Sequence, residues 1–360
     1  MTRRLFSAIA VCCSAGSPGS AEGPFDYQVL KVADDTWAFV EKRMNPVVSG
    51  NIVAVIGRDA VLVFDAGHHP PMTRAVIADI KRLTPKPVKY LVISHWHDDH
   101  WAGAAEFADA WPGVQVLAHP FTAQLMEDRR EKFRGEVCRN ELEANERDLQ
   151  AQVASGKRAD GTPQTASVKE RLAHFLEAVS AQIAECDQRR YRGVDARIDD
   201  TRDLDLGGRI VSIRFLGRGN TAGDLVAYIP DTRTLLTGDL LVYPWPYATE
   251  SYISEWARVL RRLDALDVGV IVPGHGMPLD DKAYLESVAD LLESIAHQAR
   301  AAWHPGMSAD ELRARIDLST FSRAFSHGDP FYKANFDYMM GQSAVNRMWQ
   351  ELSGKWEPEG

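Results

Sequence analysis

Residues Ile93–Gly103 read ISHWHDDHWAG, a stretch that puts three of the chain's eleven histidines and two aspartates into six consecutive positions. The apolar run PVKYLVIS precedes it and the small-residue run GAAEFADAW follows. The first reads as a buried strand and the second as a short helix, with helix beginning near Trp101. The histidines then lie on the loop at a strand's C-terminal end, where α/β layers commonly place their active sites. His95 and His97, two apart in extended chain, point the same way and can share one metal ion. Asp99 and His100 follow after a turn and can serve a second ion nearby. Imidazole and carboxylate together suit zinc or another borderline divalent cation. A surface loop that merely happens to be rich in histidine rarely meets this spacing.

The rest of the chain supplies layers to carry such a loop. Strand-like runs come first (YQVLKV, TWAFV, NIVAVIG, AVLVFDAG), and MTRAVIADIKRL has helical spacing. VQVLAHP is a further strand, and strands return in RIVSIRFLG, LVAYIP, TLLTG and VGVIV, with the helix ISEWARVLRRLDAL before the last. From Asp280 onward the pattern is mostly helical, ending in AVNRMWQELSG. Two β-rich blocks with helices between and after them predict an α/β fold of layered sheets covered by helices.

Between the blocks, Phe121–Ser155 and Ser167–Arg190 carry apolar residues at helical spacing, separated by the breaker run GKRADGTPQTAS. This predicts a helical hairpin over 121–190. Cys138 and Cys186 are equidistant from Thr162 inside that turn, so folding back brings them level and predicts a disulfide. A disulfide suits an exported protein, and the N-terminus reads as a leader. Arg3 and Arg4 precede the short apolar run Leu5–Cys13, and small residues end at Ala21. Residues 1–21 are therefore expected to be a signal peptide, and the protein periplasmic or secreted. Losing that segment moves the net charge from −9 to −11, since it holds two arginines and no acid. A chain this acidic is a poor partner for nucleic acid, and no apolar run is long enough to span a membrane. A small-molecule substrate is expected.

Two more pieces sit where the first motif sits. LLTGDLL places Asp239 just after a strand, and VIVPGHG places His275 after another. With His95, His97, Asp99 and His100, and with Asp65 in the "DAG" after an early strand, this ordered set resembles the metallo-β-lactamase superfamily. The resemblance covers roughly residues 27–280 but not the hairpin, which looks like an insertion. The expected division is a core domain over 22–280 and a C-terminal helical extension over 281–360.

The resemblance implies an αββα sandwich with a two-metal site at one edge. It gives the first ion His95, His97 and a third histidine, and the second ion Asp99, His100 and His275. Asp239 bridges, and Asp99 and Asp239 are the catalytic carboxylates. A zinc-held hydroxide then attacks the substrate. Asp65 is expected to orient His97 or His100 rather than bind metal. One position departs: where relatives carry the third histidine, this chain has Asn220, in GRGNTAGD. An amide oxygen is a weaker zinc ligand than imidazole. One tightly bound Zn2+ is therefore expected, with the first site weakened.

A bridging Asp resembles the glyoxalase II, lactonase and sulfatase branches, so the implied substrate is an ester, thioester, lactone or sulfate ester. The alternatives are a class-B-like β-lactamase and a catalytically weak metal-binding or ligand-binding member. Near the site, Tyr243, Trp245 and Tyr247 fit a substrate wall or loop packing equally well. Trp96 and Trp101 fit packing, and Asp98 a solvated or helix-capping role. His68 and His69 lie nearby without matching a ligand position.

Overall fold

A computed structural model describes residues 26–42, 49–157, 161, 163–356 and 359. The leader over residues 1–21 and the hairpin midpoint Thr162 lie outside the described residues. The first sheet runs in chain order: β1 (Tyr27–Ala33), β2 (Thr36–Glu41), β3 (Ile52–Ile56), β4 (Val61–Phe64), β5 (Val88–Val92), β6 (Gln115–Ala118) and β7 (Ala196–Arg197). Its first four strands are antiparallel, and β4 to β7 are parallel. The second sheet is formed by β8 (Thr201–Asp205), β9 (Ile210–Phe215), β10 (Leu225–Ile229), β11 (Thr234–Leu236) and β12 (Val270–Val272), also in sequential order, with only β11 and β12 parallel.

Strand periodicity fixes how the layers stack, because successive side chains point to opposite faces. On β3, Val53 and Val55 enter the core between the sheets, while Ile52, Ala54 and Ile56 face the outer helices. On β10, Leu225, Ala227 and Ile229 meet them from the other side, and Val226 and Tyr228 face outward. Helices α1 (Pro70–Leu83), α2 (Asp98–Trp101) and α3 (Ala104–Ala110) cover the first sheet through Val76, Ile80, Trp101 and Phe107. The result is the expected αββα sandwich.

The hairpin forms too, with a break the periodicity did not disclose. Its first arm divides into α4 (Pro120–Asp128), a single 3-10 turn and α5 (Gly135–Ser155), and its return arm is α6 (Ala166–Glu185). Phe133, in that turn, leaves the helical line to stack on Trp101 with ring centroids 4.5 Å apart. The hairpin base is fastened to the start of α1 and to α3: Glu185 meets the buried His69 at 3.0 Å, and Arg190 reaches both Glu106 and Asp109. The second sheet is covered by α7 (Ile253–Asp264) and α8 (Ala283–Ala302), whose Trp256, Leu260, Leu285 and Leu292 share one core. The predicted C-terminal helices follow as α9 (Ala309–Arg313), α10 (Ser319–Ser326), α11 (Pro330–Phe336) and α12 (Val345–Ser353). They pack into that same core through Leu312, Phe325, Phe336 and Met348. No helix among the described residues is long and apolar enough to cross a membrane.

Cys138 on α5 and Cys186 just beyond α6 are bonded, with Cα atoms 5.7 Å apart and a sequence separation of 48. Closing a loop of that size restricts the unfolded chain by about 4 kcal/mol in the chain-entropy relation. In oxidised protein both thiols should therefore resist alkylation under denaturing conditions. Replacing both by serine should lower the unfolding free energy in urea by up to that amount. Free thiols at both positions, or an unchanged urea midpoint, would contradict the bridge or its contribution.

Candidate metal centre

Strand direction brings the chemistry-bearing loops together. The parallel pair β4 and β5 and the parallel pair β11 and β12 each end in one of these loops. Asp65 follows β4, Ser94 and His95 follow β5, Asp239 lies in the turn after β11, and His275 follows β12. Helix starts at Asp98, three residues earlier than expected, so Asp99 and His100 stand on the first turn of α2. Gly238 has φ +50, and a Cβ there would fall 2.6 Å from the Cβ of Ser94. Glycine is what lets the Asp239 loop approach the His95 loop. The segment before β3 stitches the loops from below. The Asn51 side chain donates to the carbonyls of Pro273 and Gly276 at 2.9 and 2.8 Å, and Gly50 N donates to Asp99 O at 3.0 Å.

Two trios of ligand atoms result, His95 with His97 and Asp239, and Asp99 with His100 and His275, each within 4.8 Å of one another. Nε2 of His95 and Nδ1 of His97 converge at 2.8 Å. Nε2 of His275 lies 3.0 Å from Asp99 and 3.2 Å from Nε2 of His100. Asp239 reaches both groups: one oxygen is 3.7 Å from His95, the other 3.2 Å from His100 and 3.4 Å from His275.

The outward ring nitrogens are held from behind, which fixes which nitrogen faces the cluster. His95 Nδ1 is 2.9 Å from Ser94 Oγ, and His100 Nδ1 is 2.8 Å from Asp65 Oδ2. Asp65 also accepts from the Ser94 backbone and hydroxyl at 2.7 and 2.8 Å. The expectation of Asp65 as an orienting acceptor thus resolves in favour of His100. For His97 the corresponding group is Glu250, 3.5 Å from Nε2.

The electrostatics suit a cation. Burial alone would keep His100 and His275 neutral, but the carboxylates of Asp99 and Asp239 outweigh it. They raise His100 well above the usual range and His275 to about 10. Asp239 Oδ1 is buried and finds no aligned hydrogen-bond donor. A buried carboxylate with a free lone pair, beside imidazole nitrogens and a second carboxylate, is a donor set that fits zinc.

The remaining expected residues divide. Asn220 is fully buried after β9; its Oδ1 accepts from Ser251 Oγ at 3.3 Å and its Nδ2 finds no partner. Asp98 does not cap α2, whose N-cap is His97; it is half-buried, 3.9 Å from Arg129. Trp101 packs as expected, whereas Trp96 lines a cavity of about 620 Å³ that opens on His97, Asp99, Asp239 and His275. Trp245 and Tyr247 line it too, while Tyr243 packs on Tyr284 at 5.1 Å. His68 lines the cavity and His69 anchors the hairpin. Sequence reasoning missed Glu250, Asn51 and the cavity's arginines, Arg129 and Arg189; no motif spacing marks any of them.

A family model described as the metallo-beta-lactamase superfamily matches residues 45–275. A linear primary-alkylsulfatase from a Pseudomonas species is 24% identical over 275 residues, 72% of this chain but 48% of that protein. The chain thus spans about half the length of this curated relative. A metallo-beta-lactamase from Pontibacter korlensis superposes with a TM-score of 0.52 at 20% identity, covering 74% of this chain and 99% of its own. The IND-7 metallo-beta-lactamase gives 0.51 at 17% identity, with 74% and 98% covered. At such identities the likeness of the solved structures is one of fold.

The raised histidines set a pH dependence. A ligand histidine has to give up its proton, so ion binding should release protons and weaken as pH falls. From about pH 8 to about pH 6, apparent affinity should drop about tenfold per unit for each proton displaced. In ion-free protein the raised value has its own sign: His275 stabilises the fold below about pH 6.5 and loses that contribution as pH rises through about 10. Chelator competition at several pH values checks this, and an affinity independent of pH would contradict it.

Proposed function

The chain belongs to the metallo-β-lactamase superfamily, and on that premise we propose that it is an exported zinc-dependent hydrolase of an ester, thioester, lactone or sulfate ester. The observation that carries this reading is Asp239, buried with an oxygen toward each ligand trio and no aligned donor on Oδ1 among the described residues. Zinc held there would supply a nucleophile at neutral pH, lowering the pKa of bound water from about 15.7 to about 7, and would polarise the electrophile.

The chain's own residues have distinct tasks in this reading. His95 and His97 would hold the first ion and Asp99, His100 and His275 the second, with Asp239 within reach of both. Ser94, Glu250 and Asp65 keep the ring nitrogens aimed. Trp96, buried beside the cluster, and the hairpin's Leu142, Phe175 and Val179 exclude water and give the substrate an apolar wall. The alkylsulfatase relative supports sulfate esters within the class. The Cys138–Cys186 bond supports export.

Asn220 is the weak third ligand of the first site. Amide ends are assigned from their partners, and Ser251 can donate or accept. Turning the amide would put its oxygen where Nδ2 now has no partner.

Metal analysis after identical dialysis tests the assignment. Wild type should retain about one zinc per chain, Asn220→His should approach two, and His275→Ala or Asp99→Ala should lose the tight ion and all hydrolysis. His95→Ala should cost less metal. Two tight ions in wild type, unchanged by Asn220→His, would overturn the role of Asn220. Turnover is read on an alkyl sulfate, a lactone, a thioester and the β-lactam nitrocefin. Hydrolysis of nitrocefin alone would make the protein a β-lactamase, and no turnover by zinc-loaded protein would leave a binding member of the fold.

A further inference from the structure

The cavity beside the ligand trios carries cationic groups whose donors are not all used. Arg189 follows the end of the hairpin, and its Nη2 donates to Nε2 of His68 at 2.7 Å. A guanidinium only donates, so His68 accepts through Nε2 and carries its proton on Nδ1. Burial, with Arg189 alongside, holds the His68 pKa well below its usual value and keeps the ring neutral. Nδ1 of His68 is buried without a hydrogen-bond partner among the described residues, and so is Nε of Arg189. Arg129, at the end of α4, repeats the pattern. Its guanidinium lies 4.1 Å over the Trp96 ring, its Nε is buried and unpartnered, and Asp98 stands 3.9 Å away.

All three residues line the cavity that holds Asp99, Asp239 and His275. The acids near them do not satisfy these donors. Glu185 is engaged by His69 at 3.0 Å, and Asp98 stands 3.9 Å from a terminal nitrogen of Arg129, beyond hydrogen-bond distance. Glu141 lines the same cavity and makes no ion pair with either arginine among the described residues. A buried donor left without an acceptor is costly, more so on a charged group. Three residues that carry such donors line one cavity, with Leu142, Phe175 and Val179 also in its wall, and together they describe a complementary ligand.

We propose that Arg189, His68 and Arg129 form an oxyanion-binding subsite beside the metal centre, so that the substrate is an amphiphile with an apolar body and a sulfate or carboxylate group. The subsite deepens the hydrolase reading and rests on it for the word substrate, not for binding. Charge-assisted hydrogen bonds from a planar guanidinium suit either oxyanion.

The test reads binding without turnover. The probes are 1-anilinonaphthalene-8-sulfonate and its uncharged counterpart N-phenyl-1-naphthylamine, which share an apolar body and differ in the sulfonate. Fluorescence titrations use the full chain, both zinc-loaded and chelator-treated, so that binding of sulfonate to zinc is separated from binding to arginine. Wild type should bind the sulfonate about tenfold or more tighter in both states. Arg189→Met and Arg129→Met should each remove much of that preference while leaving the uncharged probe unchanged, and Arg189→Lys should restore part of it. Equal affinity for the two probes in wild type, or an intact preference in both methionine variants, would overturn the subsite. If Arg189→Met weakens both probes alike, the hairpin has shifted, and Arg129→Met and Arg189→Lys decide. Failure of the hydrolase reading appears separately, as no turnover by zinc-loaded protein whose sulfonate preference persists.

Discussion

Nε2 of His100 lies 3.2 Å from Asp239 and 3.4 Å from Asp99, while its Nδ1 faces Asp65 at 2.8 Å. Three carboxylates around one buried imidazole are affordable only with positive charge among them. The carboxylates raise the pKa values of His100 and His275 and so favour a proton among these rings, and metal ions are the natural replacement. Much of the surrounding architecture keeps these groups from separating. Parallel strand ends deliver the loops, Gly238 lets two of them touch, and Asn51 binds the His275 loop to the first sheet.

What was legible in the sequence was what periodicity and spacing encode. β3, β4 and β10 are apolar on both faces because both are buried, so they read clearly as strands. The HxHxDH loop read clearly because ligand geometry constrains consecutive residues. β8 escaped notice: TRDLD buries only Leu204, and an edge strand needs no more. The two-residue β7 leaves no pattern at all. Helix α2 began early because its first turn consists of the Asp98–Asp99–His100 run, whose residues read as loop chemistry.

Partners remote in sequence had no local signature. Glu250 reaches His97 from a loop that looked merely aromatic, and Arg189 meets His68 across 121 residues. Cys138 and Cys186 were an exception, because a hairpin converts distance along the chain into level along two helices. The groups that could hold ions and those that shape the cavity therefore come largely from different parts of the chain. The first belong to strand ends and to the first turn of α2, the second largely to the hairpin and to the loop after Asp239.

The position of the disulfide gives that division a consequence. Cys186 precedes Arg189 by only three residues and bonds to the helix that supplies Leu142, while no ligand of either trio lies on the hairpin. Redox conditions thus act on one half of the molecule. Under reducing conditions the chain would keep its candidate ion-holding edge and lose the tie across the hairpin wall, and oxidation would restore that tie without touching the edge. A change of redox state would thus alter what the cavity admits before it alters what the edge can hold.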